Sequence, residues 1–228
     1  MLRSAFLLPA LFISAFFLPL LSCYNTTVPI EVGEAQVKPD TIRPEEIPTD
    51  GAARYKVVEG MIFWSGQPAI GNAHNGTIRV VNGELMVNRG QLLSGSITID
   101  MASIAVTDLA DGGERRDLEG HLQHADFFEV AKYPTGEFKF EEVLPSNLPD
   151  FNWVVSGELT LKGKTNPVNI PVKMTIKGDE LIAESPSFHI NRTQWGINFR
   201  SGLLGTIKDK LIQDMIILSL KLKARKIN

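Results

Sequence analysis

The ten residues VNIPVKMTIK, 168 to 177, alternate without a break. Val168, Ile170, Val172, Met174 and Ile176 fall on one face, and Asn169, Pro171, Lys173, Thr175 and Lys177 on the other. Side chains of a β-strand point alternately to opposite faces, so this segment is a strand with one apolar and one wet side. The same period recurs at Ile97/Ile99/Met101, Phe138/Phe140 and Trp153/Val155/Leu159/Leu161, and in Ile216/Leu218/Leu220/Leu222 set against Ser219, Lys221 and Lys223. Between residues 55 and 225 the pattern and its turn residues give about eight or nine strands, the density of a sandwich or barrel. Asn82-Gly83, between two such runs, is a strong hairpin signal. One helix is expected, from about Arg116 to Phe127, after the loop Asp108 to Glu114. With so little helix to cover them, one-sided strands must fold over on each other or close into a ring. Pro171 has no N–H to give a ladder, and its place on the wet face predicts an edge, a bulge or a seam. No repeat of 20 to 50 residues is visible, so one domain is expected. An eight-stranded barrel is either filled by its own side chains or holds one small ligand, and alternation alone does not separate the two.

The chain ahead of this body has a different character. One positive charge at Arg3 precedes an apolar run from Ala5 to Leu21. Pro9 and Pro19 interrupt the run, whereas a membrane-spanning helix needs roughly 20 apolar residues in succession. It reads as an export signal. Leu20-Leu21-Ser22-Cys23 resembles the cleavage box of bacterial lipoproteins, in which the cysteine becomes the lipid-modified first residue. The expected organisation is a signal over 1–22, a lipidated Cys23 with a flexible tether over 23–54, and the barrel over 55–228. Pro29, Pro39, Pro44 and Pro48, mixed with acids and threonines, support the tether. Tyr24 in place of an aspartate points to the outer membrane, so the expected location is periplasmic or cell-surface. Cys23 is the only cysteine, which leaves no disulfide, and stability must come from the core. A net charge of -3 with 43% apolar residues suits a globular domain and offers no basic patch for nucleic acid.

His121 and His124 stand three apart on the expected helix and share a face. A metal would recruit Asp126, His74 or His189 beside them, but the pair alone is no complete ligand set and no cysteine lies near. No metal and no cofactor are expected. The simpler reading has His121 and Asp126 fastening the helix and its following loop to the barrel by hydrogen bonds, while Phe127 and Phe128 cover one end as a lid. His74 as a catalytic base would need a partner and a polar substrate centre within reach. Nothing nearby in sequence supplies one, and its ring is expected to bond the barrel wall or a ligand's head group. Arg192 is expected in a structural ion pair. Trp64, Trp153 and Trp195 read as core residues before ligand contacts.

Several stretches recur in a set order: Trp64-Ser-Gly, His74-Asn-Gly-Thr-Ile, Gly95-Ser-Ile-Thr-Ile-Asp-Met, His121-Leu, Asp126-Phe-Phe-Glu-Val, Lys132-Tyr-Pro-Thr, Phe138, Gly157-Glu-Leu-Thr-Leu-Lys-Gly-Lys-Thr-Asn-Pro-Val and Asn191-Arg-Thr-Gln-Trp-Gly-Ile. Together they resemble the YceI-like family over essentially all of residues 55 to 225. The resemblance implies an exported all-β protein, a lipocalin-like eight-stranded antiparallel barrel with one short helix or lid insertion. It also implies a long-chain isoprenoid, an isoprenoid quinone or a fatty amphiphile in the bore, with no catalytic cycle and no metal, and it leans towards a homodimer. Gly136-Glu137 departs from the commoner family pattern. The lining expected for such a ligand is Ile62, Trp64, His74, Ile78, Ile97, Ile99, Phe127, Phe138, Phe140, Leu159, Met174, Ile176, Trp195, Ile216 and Leu218. Two other readings compete: a lipid-modifying enzyme with His74 or His121 as general base, and a structural barrel with a filled core.

Overall fold

Alternation becomes a closed ring. The computed structural model describes residues 51–202 and 211–227; the signal, Cys23 and nearly all of the tether lie outside them. Among the described residues the strands are β1 (Ala53–Gly66), β2 (His74–Asn88), β3 (Gln91–Val106), β4 (Thr135–Pro145), β5 (Trp153–Leu161), β6 (Lys164–Lys177), β7 (Glu180–Glu184), β8 (Phe188–Asn191) and β9 (Met215–Ile227), with one α-helix, α1 (Gly113–Gln123), and a 3-10 helix over Arg192–Trp195. Each strand from β1 to β6 pairs antiparallel with the next, and β9 pairs with β7, β8 and β1. β7 meets β9 at Lys221 to Arg225 and β8 meets it at Met215 to Leu218, so the two short strands lie end to end along one edge. They share one position in the ring. Nine strands therefore make an eight-stranded antiparallel barrel, and the break between β7 and β8 falls at Ser185-Pro186-Ser187, where a proline interrupts the ladder.

The expected hairpin at Asn82-Gly83 is not one. Both residues lie inside β2, paired with Thr98 and Ile97, after a register shift between Val80 and Asn82. The turn comes at Arg89-Gly90, where φ is 49° and 81°, the two positive values that a type I′ turn demands. Gly83 serves a close approach instead: a Cβ there would stand 2.7 Å from the Ser96 carbonyl oxygen. A second such turn joins β5 to β6 at Lys162-Gly163.

Pro171 occupies a seam, as its missing donor requires, but it is buried and not on a wet face. Met174 exchanges both backbone bonds with the Asn152 side chain on the β5 side. Alternate residues, Pro171 among them, face away from β5, and β7 reaches back only as far as Lys173. Above that point β6 and β8 share no ladder.

The helix starts and stops earlier than the sequence suggests. It runs from Gly113 to Gln123 and ends where His124 turns extended, with ψ 168°. The following residues to Tyr133 form turns tied back to it, with Phe128 and Val130 donating to the Leu122 and Gln123 carbonyls. Three long connections, 67–73, 107–134 and 192–214, all emerge at the end of the barrel where β1 stops and β2 begins. The opposite end is packed with Tyr55, Leu85, Leu92, Phe140, Val155, Val172, Met174, Leu181 and Leu222, all buried.

Candidate ligand cavity

The inward faces do not meet throughout. At the end of the barrel where β1 stops and β2 begins lies a cavity of about 350 Å³, lined almost wholly by aliphatic and aromatic side chains. Of the expected lining, Ile62, Trp64, His74, Ile78, Ile97, Ile99, Phe127, Phe138, Leu159, Ile216 and Leu218 stand on its wall. Four do not. Phe140 and Met174 border a separate void of about 30 Å³ in the packed half, and Ile176 lies further down the same strand on neither wall. Trp195 is fully buried off the cavity, its indole N–H donating to the Leu159 carbonyl at 2.8 Å. For Phe140, Met174 and Ile176 the reason is that period two tells inward from outward but not hollow from filled; Trp195 stands in the 3-10 helix Arg192–Trp195, where no alternation applies.

Residues from outside the regular strands complete the wall. Leu118, His121, Leu122, Phe127 and Phe128 come from α1 and the turns after it, and Ile197, Phe199, Arg200 and Ile212 from the connection before β9. The lid is held chiefly by Glu119. Its carboxylate accepts the Val106 N–H at 2.8 Å and the Arg115 Nε–H at 3.0 Å, coupling the helix to the last residue of β3. The Val106 amide, then the Arg115 guanidinium, hold Glu119 below the ordinary carboxylate range against the opposing pull of burial. Lys162 Nζ donates to the Ala125 carbonyl at 2.7 Å from the far side. Among the described residues neither His121 nor Asp126 makes the expected side-chain hydrogen bond to the barrel, and at 3.7 Å the two stand too far apart to bond each other. The His121 ring instead stands edge-on to Phe127 and Phe199, with centroids 5.1 and 4.6 Å away. His121 is thus a cavity-wall residue, which i,i+3 spacing alone did not distinguish from a surface histidine.

His74 has the partner that its sequence neighbourhood lacks. Nδ1 lies 2.9 Å from Asp108 Oδ2, and Asp108 Oδ1 accepts the Asn75 N–H at 2.8 Å. Burial alone would raise the Asp108 carboxyl, but the Asn75 amide and the His74 ring outweigh it and hold the group below its ordinary value. The pair fixes the imidazole at the rim and leaves Nε2 without a partner among the described residues. Arg200, exposed, packs its guanidinium over Phe199 at 5.1 Å. The rim therefore carries two imidazoles and a guanidinium around an apolar hole. Among the described residues no group of three or more His, Cys, Asp or Glu is placed to hold a metal ion.

Arg192 forms the ion pair expected of it, and more. Its side chain, 3% exposed, lies 3.0 Å from Asp214. The remaining donors go to the carbonyls of Ile197, Phe199, Ile212 and Gln213 at 2.7 to 3.2 Å. Burial lowers its pKa and Asp214 opposes that shift. Ser201 adds a hydroxyl bond to the other Asp214 oxygen at 2.9 Å. The cavity rim is thereby stapled from one buried cation.

A closed antiparallel barrel with an apolar hole under a lid at one end defines the lipocalin-like class. Within it, this chain belongs to the YceI-like family: the model of the YceI-like domain matches residues 59–224. A UPF0312 protein of Vibrio cholerae serotype O1 is 29% identical over 124 residues, 51% of this chain and 57% of that protein. Protein YceI of Escherichia coli is 30% identical over 81 residues, 36% of this chain and 41% of its own length. The chain thus spans about half the length of the curated relatives it matches. Among solved structures, Burkholderia cenocepacia BcnA superposes with a TM-score of 0.57 at 20% identity, covering 72% of this chain and 95% of its own. A domain from Saccharophagus degradans, described as polyisoprenoid-binding and implicated in plant cell wall breakdown, gives 0.53 at 12% identity, covering 76% and 98%. At such identities these two establish shared fold.

Proposed function

We propose that the protein binds an amphiphile, with its apolar tail in the cavity and its polar head at the rim beside His74, His121 and Arg200, and that it serves as a carrier, store or sensor. The observation that carries this reading is the hole itself: a barrel needing only stability would fill both halves, and this one fills half. Burying on the order of 400 Å² of tail at about 25 cal/mol per Å² is worth roughly 10 kcal/mol. Several kcal/mol go to ordering the tail, and the remainder supports roughly micromolar binding before any head-group contact. The polyisoprenoid-binding description of the Saccharophagus degradans domain adds support for an isoprenoid, a quinone or a fatty acid derivative as the ligand. The sequence adds the rest of the reading: export under residues 1–22, a lipid anchor at Cys23, and a tether holding the barrel off a bacterial outer membrane.

The test is organic extraction and mass spectrometry of gently purified protein, together with uptake of a fluorescent fatty probe. A bound apolar molecule or saturable uptake is expected. Protein that is empty and takes up no probe refutes the proposal. The His74–Asp108 pair favours one rival, an enzyme using His74 as general base on the same lipids. A His74→Ala variant that keeps ligand and loses turnover of it would establish that rival.

A further inference from the structure

The barrel is divided across its middle. Ile97, Phe138, Ile170 and Leu220 belong both to the wall of the large cavity and to that of the small void beneath it. They form a floor. Below it Phe138 stacks on Phe140 with ring centroids 5.8 Å apart. Phe140 is flanked on both neighbouring strands by glycine, Gly95 and Gly157, and a Cβ at either would stand 2.7 Å from that side chain. The missing side chains let the Phe140 ring lie against the wall beneath the floor, and the packed residues of the lower half seal the rest.

We infer that this floor sets the length of the tail, and that the ligand is an amphiphile with one short or medium chain and not a long polyisoprenoid laid through the barrel. The inference rests on the amphiphile reading above. Were the bore hollow throughout, the 16 residues of β3 at about 3.3 Å each and a tilt of roughly 40° would give about 40 Å. From the floor the wall rises by four residue steps along β9, Leu220 to Ile216, and by at most seven along β3, Ile97 to Ile104, where an irregularity in the β2 pairing shortens the climb. By the same conversion the usable depth is about 10 to 18 Å. An extended chain advances about 1.3 Å per carbon–carbon bond, so the hole takes on the order of 8 to 14 carbons in line. That corresponds to a medium-chain fatty acyl group or to two or three isoprene units. Phe138 is the specificity-determining residue, because its ring separates the two spaces and removing it joins them.

The test is displacement of a fluorescent fatty probe from the mature chain by straight-chain fatty acids of 8 to 20 carbons. Affinity should rise about fourfold per methylene while each new group is buried and stop rising by about 14 carbons. Phe138→Ala should move the break about four carbons longer, the reach from Phe138 to Phe140. Val168→Phe, which adds bulk to a half-buried position on the cavity wall, should move it shorter and needs no core deletion. Probe binding with affinity climbing unbroken to 20 carbons overturns the floor while leaving the amphiphile reading intact. A break unmoved by either folded variant also overturns it. Failure of every probe and acid to bind removes the amphiphile reading itself.

Discussion

Replacing Arg192 by methionine keeps much of the side chain's volume and deletes its charge. The substitution breaks the contact to Asp214 at 3.0 Å and strands four backbone carbonyls that the guanidinium now satisfies. Removing one partner of a buried ion pair costs about 3–5 kcal/mol, because the other charge stays behind without compensation. Here the Ser201 hydroxyl remains on Asp214, which places the loss near 4 kcal/mol rather than at the top of the range. For a domain of this size that is a fall of roughly 10 °C in melting temperature. The assay is urea unfolding followed by tryptophan fluorescence, with the midpoint falling and the slope unchanged. Because the stranded carbonyls belong to Ile197, Phe199, Ile212 and Gln213, three of them on the cavity wall, probe uptake should weaken even in protein that is still folded. Adding Asp214→Asn removes the uncompensated charge and should restore about half of the loss. A destabilisation below about 1 kcal/mol with uptake unchanged would refute the view that one buried cation organises the rim.

Three further outcomes are expected. Ile78→Lys, a charge placed in the apolar wall, should abolish probe uptake in calorimetrically folded protein, since a cation beside the tail has no counter-ion there. The lowered pKa values of Asp108 and Glu119 mean that their contribution is fully present above their ordinary values of 3.8 and 4.5 and is lost as the pH falls through the lower folded values. Near-ultraviolet circular dichroism and probe retention should thus stay flat from pH 8 to about 5 and decline below about 4, with Glu119→Gln removing part of the decline. Cys23→Ser should shift the protein from the membrane to the soluble fraction while the purified barrel binds its ligand unchanged.

Most strands were legible because one-sided burial writes period two into them, and β6 shows the pattern: Ile170, Val172 and Met174 are buried while Lys173 and Thr175 are exposed, with Pro171 at the seam the exception. Turns were less so. Asn82-Gly83 has the composition of a hairpin, but its register against Thr98 and Ile97 is dictated by the inward residues around it, and tertiary pairing overrides a two-residue preference. Conversely, Arg89 takes φ 49° with no compositional advertisement beyond the glycine that follows. The site was legible by side and not by depth: Phe138 and Phe140 are indistinguishable in pattern, yet one faces the hole and the other the plug. Asp108 was out of reach because it meets His74 across 34 residues, at a distance that only the β2–β3 pairing closes.

Ring closure ties the earliest strand to the latest. Arg54 pairs with Ile227, and the same final strand also supplies the ladder for β7 and β8. Until β9 exists, three ladders are missing and the sheet has two bare edges. Contacts between such distant parts of a chain form slowly. A molecule that stalls before its last dozen residues presents open β-edges to its neighbours, the raw material of aggregation. Cellular quality control will therefore see this barrel as all or nothing: loss of the C-terminal strand should give proteolysed or aggregated chains, with no partly functional barrel between.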